Sequence, residues 1–292
     1  MSMENIPVQD EASSLLIYCC AINEEEEGEH SNALGMGFMA SMGLLLCLEK
    51  GNHRVIERLR GVYPFLEQVA TKHPDRLSAE EQLFEMLEKA LERIEPLINE
   101  GETDCLNLYA STLVYAKESA ERLGDQAHAR SYEKEAYRTM SSLRRRGRLA
   151  CWLEYSKLLL AKGRRAFDEG DAEKAEKYTE RAYRAAQNEQ RRRKEDMALY
   201  CIWQKRKCCR FLVRIQRIKG NRIQWLKWKG IGWKVWMERK IWNARCVIGL
   251  NGENARRRVK AFIDRHRTLL FWIEGILWVC IGIEFIRRYV LR

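Results

Sequence analysis

Residues 124–138 read GDQAHARSYEKEAYR, and 46 positions later residues 170–184 read GDAEKAEKYTERAYR. Gly124-Asp125 and Gly170-Asp171 head the two runs, and Ala129, Tyr132, Ala136, Tyr137 and Arg138 recur as Ala175, Tyr178, Ala182, Tyr183 and Arg184. Glycine tolerates a positive φ where a helix stops. The aspartate after it accepts a backbone N–H from the first turn of the next helix. Each Gly-Asp pair therefore marks one helix end and one helix start. Ala, Tyr and Ala at spacings of three and four share a helical face; the alanines let a partner helix approach and the tyrosine fills the groove beside it. The pattern predicts helices over residues 105–123, 126–143, 151–169 and 172–187. These make two antiparallel hairpins, which bury their apolar faces by stacking on one another.

The second copy resembles a tetratricopeptide repeat. Leu159, Gly163, Gly170, Asp171, Ala175 and Ala182 stand where that family places its large apolar residue, its small residue, its turn and the small positions of its second helix. The chain departs from the family at Lys162, where an apolar residue is usual, and at Thr179, which holds the aromatic position with Tyr178 one place early. No proline follows Ala182, and the offset of 46 exceeds the family's period of about 34. The resemblance implies an all-α fold of stacked helical hairpins, an α-solenoid, with a peptide or helix of a protein partner bound on its concave face. A fainter copy upstream sets Met86, Ala90 and Leu91 against Tyr132, Ala136 and Tyr137 and puts Ser78-Ala79 at the turn.

Upstream of the repeat the chain is acidic. Residues 1–110 hold 8 Lys+Arg against 21 Asp+Glu, and the remainder holds 44 against 20. Residues 13–22 are apolar enough to open a helix, and Glu24 to Glu27 with Glu29 read as a solvated loop. Residues 33–48 carry no charge. As a helix they would extend about 24 Å, short of a hydrocarbon core of about 30 Å, so they read as a buried core helix. Residues 54–72 and 78–95 follow as amphipathic helices separated by His73-Pro74-Asp75, the first kinked or split at Gly61 and Pro64, the second opened by a Ser78/Glu81 capping box. After Pro96 there is no further proline, a composition permissive of long helices.

Downstream the chain is basic and rich in tryptophan. Residues 191–292 carry 27 Lys+Arg against 7 Asp+Glu and eight of the nine tryptophans. Candidate anion-binding cations are Arg191, Arg192, Arg193, Lys194, Lys205, Arg206, Lys207, Lys227, Lys229 and Lys234. Trp225, Trp228, Trp233, Trp236, Trp242, Trp272 and Trp278 are candidate membrane-interface aromatics. Cations with interleaved indoles suit two partners: anionic membrane lipids, where indoles settle at headgroup depth, or RNA, where bases stack on aromatic faces. Residues 222–248 do not gather their cations on one helical face, and Gly230 and Gly232 are expected to break a helix there. Residues 269–286, LLFWIEGILWVCIGIEFI, are flanked by Arg265, Arg267, Arg287 and Arg288 and would form a short C-terminal membrane helix, at a cost for Glu274 and Glu284. Cys208-Cys209 and Cys246, set among cations, could carry a lipid that reinforces attachment.

The sequence holds no glycine-rich phosphate loop, Gly-x-Ser-x-Gly turn or His-Glu-x-x-His helix. Its ten cysteines form no Cys-x-x-Cys pair and make no metal-ligand spacing with the five histidines, so neither zinc nor another cofactor is expected. The first Lys or Arg is Lys50, so no signal peptide is read, and the thiols are expected reduced in a cytosolic setting. Four segments result: an acidic helical region over 1–104, hairpins over 105–190, a basic tryptophan-rich region over 191–268 and the apolar segment 269–286. The expected function is that of a non-enzymatic adaptor or scaffold at an intracellular membrane. An RNA-binding or viral matrix-type protein is the alternative, and the oligomeric state stays open.

Overall fold

The computed structural model of the chain describes residues 10–98, 102–192 and 198–249, with side-chain environments for all of these except 198 and 240–249. The candidate membrane helix at 269–286, Trp272, Trp278, Arg193, Lys194 and the side chains of Trp242 and Cys246 lie outside the described residues. The described residues are all-α, without a strand: α1 (Glu11–Glu27), α2 (His30–Glu49), α3 (Ile56–Lys72), α4 (Arg76–Ile94), α5 (Thr103–Leu123), α6 (Gln126–Arg145), α7 (Trp152–Asp168), α8 (Ala172–Arg192), α9 (Ala198–Ile218) and α10 (Arg222–Gly249). Short 3₁₀ turns at His53–Val55 and Glu95–Leu97 precede α3 and follow α4. The chain divides into two compact units, Met1–Glu154 and Tyr155–Arg292.

In the first unit consecutive helices α1 to α6 pack on one another. The uncharged run at 33–48 lies within α2, whose Leu44, Leu45 and Leu48 are buried. It is the one described helix long and apolar enough to cross a membrane, and most of it is covered by protein. Its neighbours contribute Leu59 and Leu66 from α3, Leu83 and Leu87 from α4, and Leu108 from α5. Inside this apolar core sits a charge pair. Arg60 is 1% exposed and Glu154 fully buried, 3.7 Å apart, with Arg60 also donating to Glu57 and to the carbonyl of Ala150.

Three local expectations are corrected here. Glu24 to Glu27 are not a loop: α1 runs through them to Gly28, whose φ of 87° ends it, and Lys72 and His30 meet Glu25 while Asn32 donates to Glu24. Gly61 and Pro64 do not split α3, which is continuous. A helical proline deprives the carbonyl four residues back of its donor. The nearby Gly61 carbonyl accepts from Tyr18 of α1 at 3.3 Å. The α4 start is also earlier than the Ser78/Glu81 box suggested, because Asp75 accepts from the Ser78 amide and places the cap three residues upstream.

In the second unit α8 packs on α9 and α9 on α10. Phe167 meets Phe211 with ring centroids 5.4 Å apart, and the Lys219 ammonium bonds Glu176 at 2.7 Å, so α9 is fixed against both α7 and α8. The expected break at Gly230 and Gly232 does not occur, since α10 runs unbroken through both. A side chain at Gly232 would begin 3.4 Å from the Cys209 Cβ, an ordinary contact distance, so α9 passes directly beside this position.

Candidate functional site

The hairpin turns fix the register of everything else. Gly124 and Gly170 hold φ of 84° and 85°. Asp125 accepts from the amides of Ala127 and His128, and Asp171 from that of Lys174. Ser78-Ala79, the turn of the fainter upstream copy, lies instead inside α4. A further copy sits downstream, where Gly220 has φ of 66° and Asn221 accepts from the Gln224 amide at 3.2 Å. Counted from the capping residue, the aromatic seven places on is Tyr132, Tyr178 and then Trp228; the small residue at eleven is Ala136, Ala182 and Gly232. The aromatic at twelve is Tyr137, Tyr183 and Trp233, and the cation at thirteen is Arg138, Arg184 and Lys234, all three exposed.

In the first and the last of these copies the aromatic at position seven reaches the helix before last. Tyr132 of α6 donates to Glu88 of α4 at 2.8 Å and lies against Phe84. Trp228 of α10 meets Tyr183 of α8 edge-on at 5.6 Å. Trp228 is thus a core residue, 5% exposed, rather than an interface aromatic.

The remaining candidate residues place exposed cations on α8, α9 and α10 of the second unit. On α9, Trp203, Lys207, Arg210, Arg214 and Arg217 are exposed at spacings of four, three, four and three, a single stripe. Cys201, Cys208, Leu212 and Ile215 form the buried side of the same helix. The Lys207 ammonium stands 4.4 Å from the Trp203 ring centroid, and that of Lys229 stands 4.1 Å from Trp225. Trp233 and Trp236 lie 6.4 Å apart and, like Trp225, are half-buried. Lys227, Lys229 and Lys234 are exposed on α10, and Arg191 and Arg192 are exposed at the end of α8.

Lys205 belongs elsewhere: it is buried and bonds Glu238 at 2.6 Å, so it holds α9 to α10. Arg206 is half-buried, and burial together with Arg210 and Arg239 lowers its pKa. Cys208 and Cys209 are buried as well, with desolvation pushing the Cys209 thiol up to about 12. Neither thiol is open to lipid modification in this fold.

At the end of the α9 stripe a cavity of about 550 Å³ opens at the α9–α10 turn, lined by Gln216, Arg217, Asn221, Arg222, Trp225 and Leu226 together with Gly220. Gln216 is 1% exposed, and neither its amide nitrogen nor its amide oxygen has a partner. A buried amide left unpaired costs about 1–3 kcal/mol, so this side chain lacks what a ligand or water would supply. Arg217 and Arg222 form no ion pair among the described residues. First-turn amides of α10 beyond the one that Asn221 occupies have no partner within the helix, and the helix dipole adds positive potential at the same point. Chemically the turn is suited to an anion with hydrogen-bonding groups beside its charge.

Sequence reading missed Trp203, Arg210, Arg214, Arg217, Gln216 and Arg222 as a set. The alternation of four and three along α9 would have shown the stripe, whereas nothing local marks Gln216. Spacing along the chain also hid a cluster in the first unit, where His53 and Cys105 come together with Glu102. No protein-family model matches the chain, and no curated protein matches it.

Proposed function

We propose that the protein is a non-catalytic adaptor or scaffold held at an intracellular membrane, its tetratricopeptide-like hairpins offering a surface to a protein partner. The recurring register of the three downstream hairpins supports a helical-repeat reading. So does Gly163, where a Cβ would fall 2.7 Å from the Thr179 hydroxyl and 3.2 Å from the Ala175 carbonyl, the close crossing that a small residue permits. The observation that carries membrane docking is the exposed stripe from Trp203 to Arg217, ending at a cavity with unpaired Gln216. Anionic headgroups would meet the cations, and a phosphate with neighbouring hydroxyls would satisfy Gln216. Lys207 and Lys229 each stand over an indole face that single-stranded RNA would need for stacking, which favours lipid over RNA. The segment 269–286 would then anchor what the stripe orients.

Vesicle flotation of the full chain tests this. Binding should appear with vesicles containing phosphatidylserine and phosphatidylinositol 4,5-bisphosphate and fall with added salt, each cation contributing about 1 kcal/mol. Arg217→Glu with Arg222→Glu should weaken it at least tenfold. Gln216→Leu should weaken headgroup binding while raising stability by about 1 kcal/mol, because it removes an unpaired buried amide. Deleting residues 264–292 should abolish carbonate-resistant attachment and leave the salt-sensitive part. A full-length protein that floats with no vesicle and stays soluble without detergent overturns the reading; steep salt-dependent RNA binding in its place moves the function to RNA.

A further inference from the structure

The geometry points to a zinc site in the first unit, formed by His53, Glu102 and Cys105. Cys105 Sγ lies 3.8 Å from His53 Nδ1, and with a Glu102 carboxylate oxygen the three donor atoms all fall within 4.8 Å of one another. Zinc bonded to sulfur at about 2.3 Å and to nitrogen at about 2.05 Å in a tetrahedron separates those two atoms by about 3.5 Å. The thiol–imidazole pair is therefore within a few tenths of an ångström of a liganding geometry.

Local structure puts each donor there. Gly51, at φ 87°, stops α2, and Asn52 caps the following 3₁₀ turn by accepting from the Arg54 amide, which sets His53 at the turn's start. Glu102 is the residue before α5, but its carboxylate makes no capping bond, leaving it free to face Cys105 three residues on. Exposure is graded across the set: Cys105 is buried, Glu102 half-buried and His53 exposed. Three protein ligands with one side open leave a fourth position for water.

The electrostatics favour a dication over a thiolate alone. Burial first, then the bond to Glu102 and the negative charges of Glu102 and Asp104, push the Cys105 thiol up to about 11. The same carboxylates that oppose a bare thiolate attract a metal ion that displaces the thiol proton. A thiolate, an imidazole and a carboxylate together suit zinc among the abundant divalent ions. Chain spacing excludes nothing here, because His53 approaches from 49 residues upstream of Glu102.

The test uses full-length protein carrying Cys19→Ser and Cys20→Ser, since those two exposed thiols could bind zinc on their own. Zinc titrated in competition with a chromophoric chelator should bind at one equivalent. His53→Ala, at an exposed position, should keep the circular dichroism of the parent and weaken zinc binding by more than about a hundredfold, beyond the usual effect of losing an outer-shell partner. Cys105→Ser should do the same and should remove the thiolate-to-metal charge-transfer band seen when cobalt(II) replaces zinc. No bound equivalent in the parent, wild-type affinity in His53→Ala, or a cobalt spectrum without a thiolate band overturns the site.

Discussion

The helices α6 and α10 begin from one device and end in different chemistry. Both follow a glycine of positive φ and a capping Asp or Asn, and both carry an aromatic seven residues on that reaches the helix before last. In α6 the inward positions are Ala129, Glu133, Ala136, Met140 and Leu143. In α10 the same frame presents Trp225, Trp228, Trp233 and Trp236 with Lys227, Lys229 and Lys234. The turn fixes register, and the residue at position eleven is small in both, Ala136 and Gly232. What stands on the remaining positions is then free to differ: α6 carries no tryptophan, whereas α10 sets its tryptophans among lysines.

Two buried ion pairs, one in each unit, differ in how their charge is covered, and here the largest mutational effect is expected. Arg60 and Glu154 are both closed off from water, whereas Lys205 is buried but its partner Glu238 is 36% exposed. Arg60→Met leaves Glu154 uncompensated in the core and should destabilise by about 3–5 kcal/mol in urea unfolding. Adding Glu154→Leu should recover most of that loss. Lys205→Met leaves a carboxylate that water can still reach, so its cost should be about 1 kcal/mol. Equal losses in Arg60→Met and Lys205→Met would remove the distinction between the two pairs.

A smaller effect separates the three turns from chance. Gly220→Val should cost upwards of about 1 kcal/mol, as should Gly124→Val and Gly170→Val, because each forces a branched side chain to positive φ. Urea midpoints measured on the three variants check it, and wild-type stability in Gly220→Val would take α9 and α10 out of the repeat.

The turns at Gly124 and Gly170 were legible in the sequence because identical residues wrote them twice. The turn at Gly220 was not, since Asn replaces Asp, Trp replaces Tyr and the offset grows from 46 to 50; a search by physical role rather than by residue identity would have found it. The upstream copy at Ser78-Ala79 misled in the opposite way, its alanines and leucines matching a helical face that α4 possesses for its own packing. Gly230 and Gly232 misled because low helix propensity was weighed without the packing of α10 on α9, along which the helix continues through both. The cavity at Gln216 and the His53–Glu102–Cys105 cluster depend on contacts between elements, for which no periodicity within one element is a sign.

The smallest expected effect distinguishes the caps of α6 and α8 by pH. Asp125 bonds the exposed His128 ring at 2.5 Å, while Asp171 pairs with Lys174 at 2.7 Å. The pKa of His128 is raised from 6.5 by that hydrogen bond and by the carboxylate's charge. Its contribution is therefore complete below 6.5 and disappears as pH climbs through the raised folded value. The pKa of Asp125 is lowered from 3.8, chiefly by the His128 backbone amide, so its share is present above 3.8 and lost as pH falls through the lowered value. Lys174, raised from 10.5 by its bond to Asp171, keeps its charge across the same range. Hydrogen-exchange protection of the Ala127 and His128 amides should therefore decline on going from pH 6 toward pH 9, once the intrinsic exchange rate is divided out, while that of Lys174 stays level. Parallel profiles at the two caps would mean that the histidine adds nothing to α6 and that the two turns are electrostatically alike.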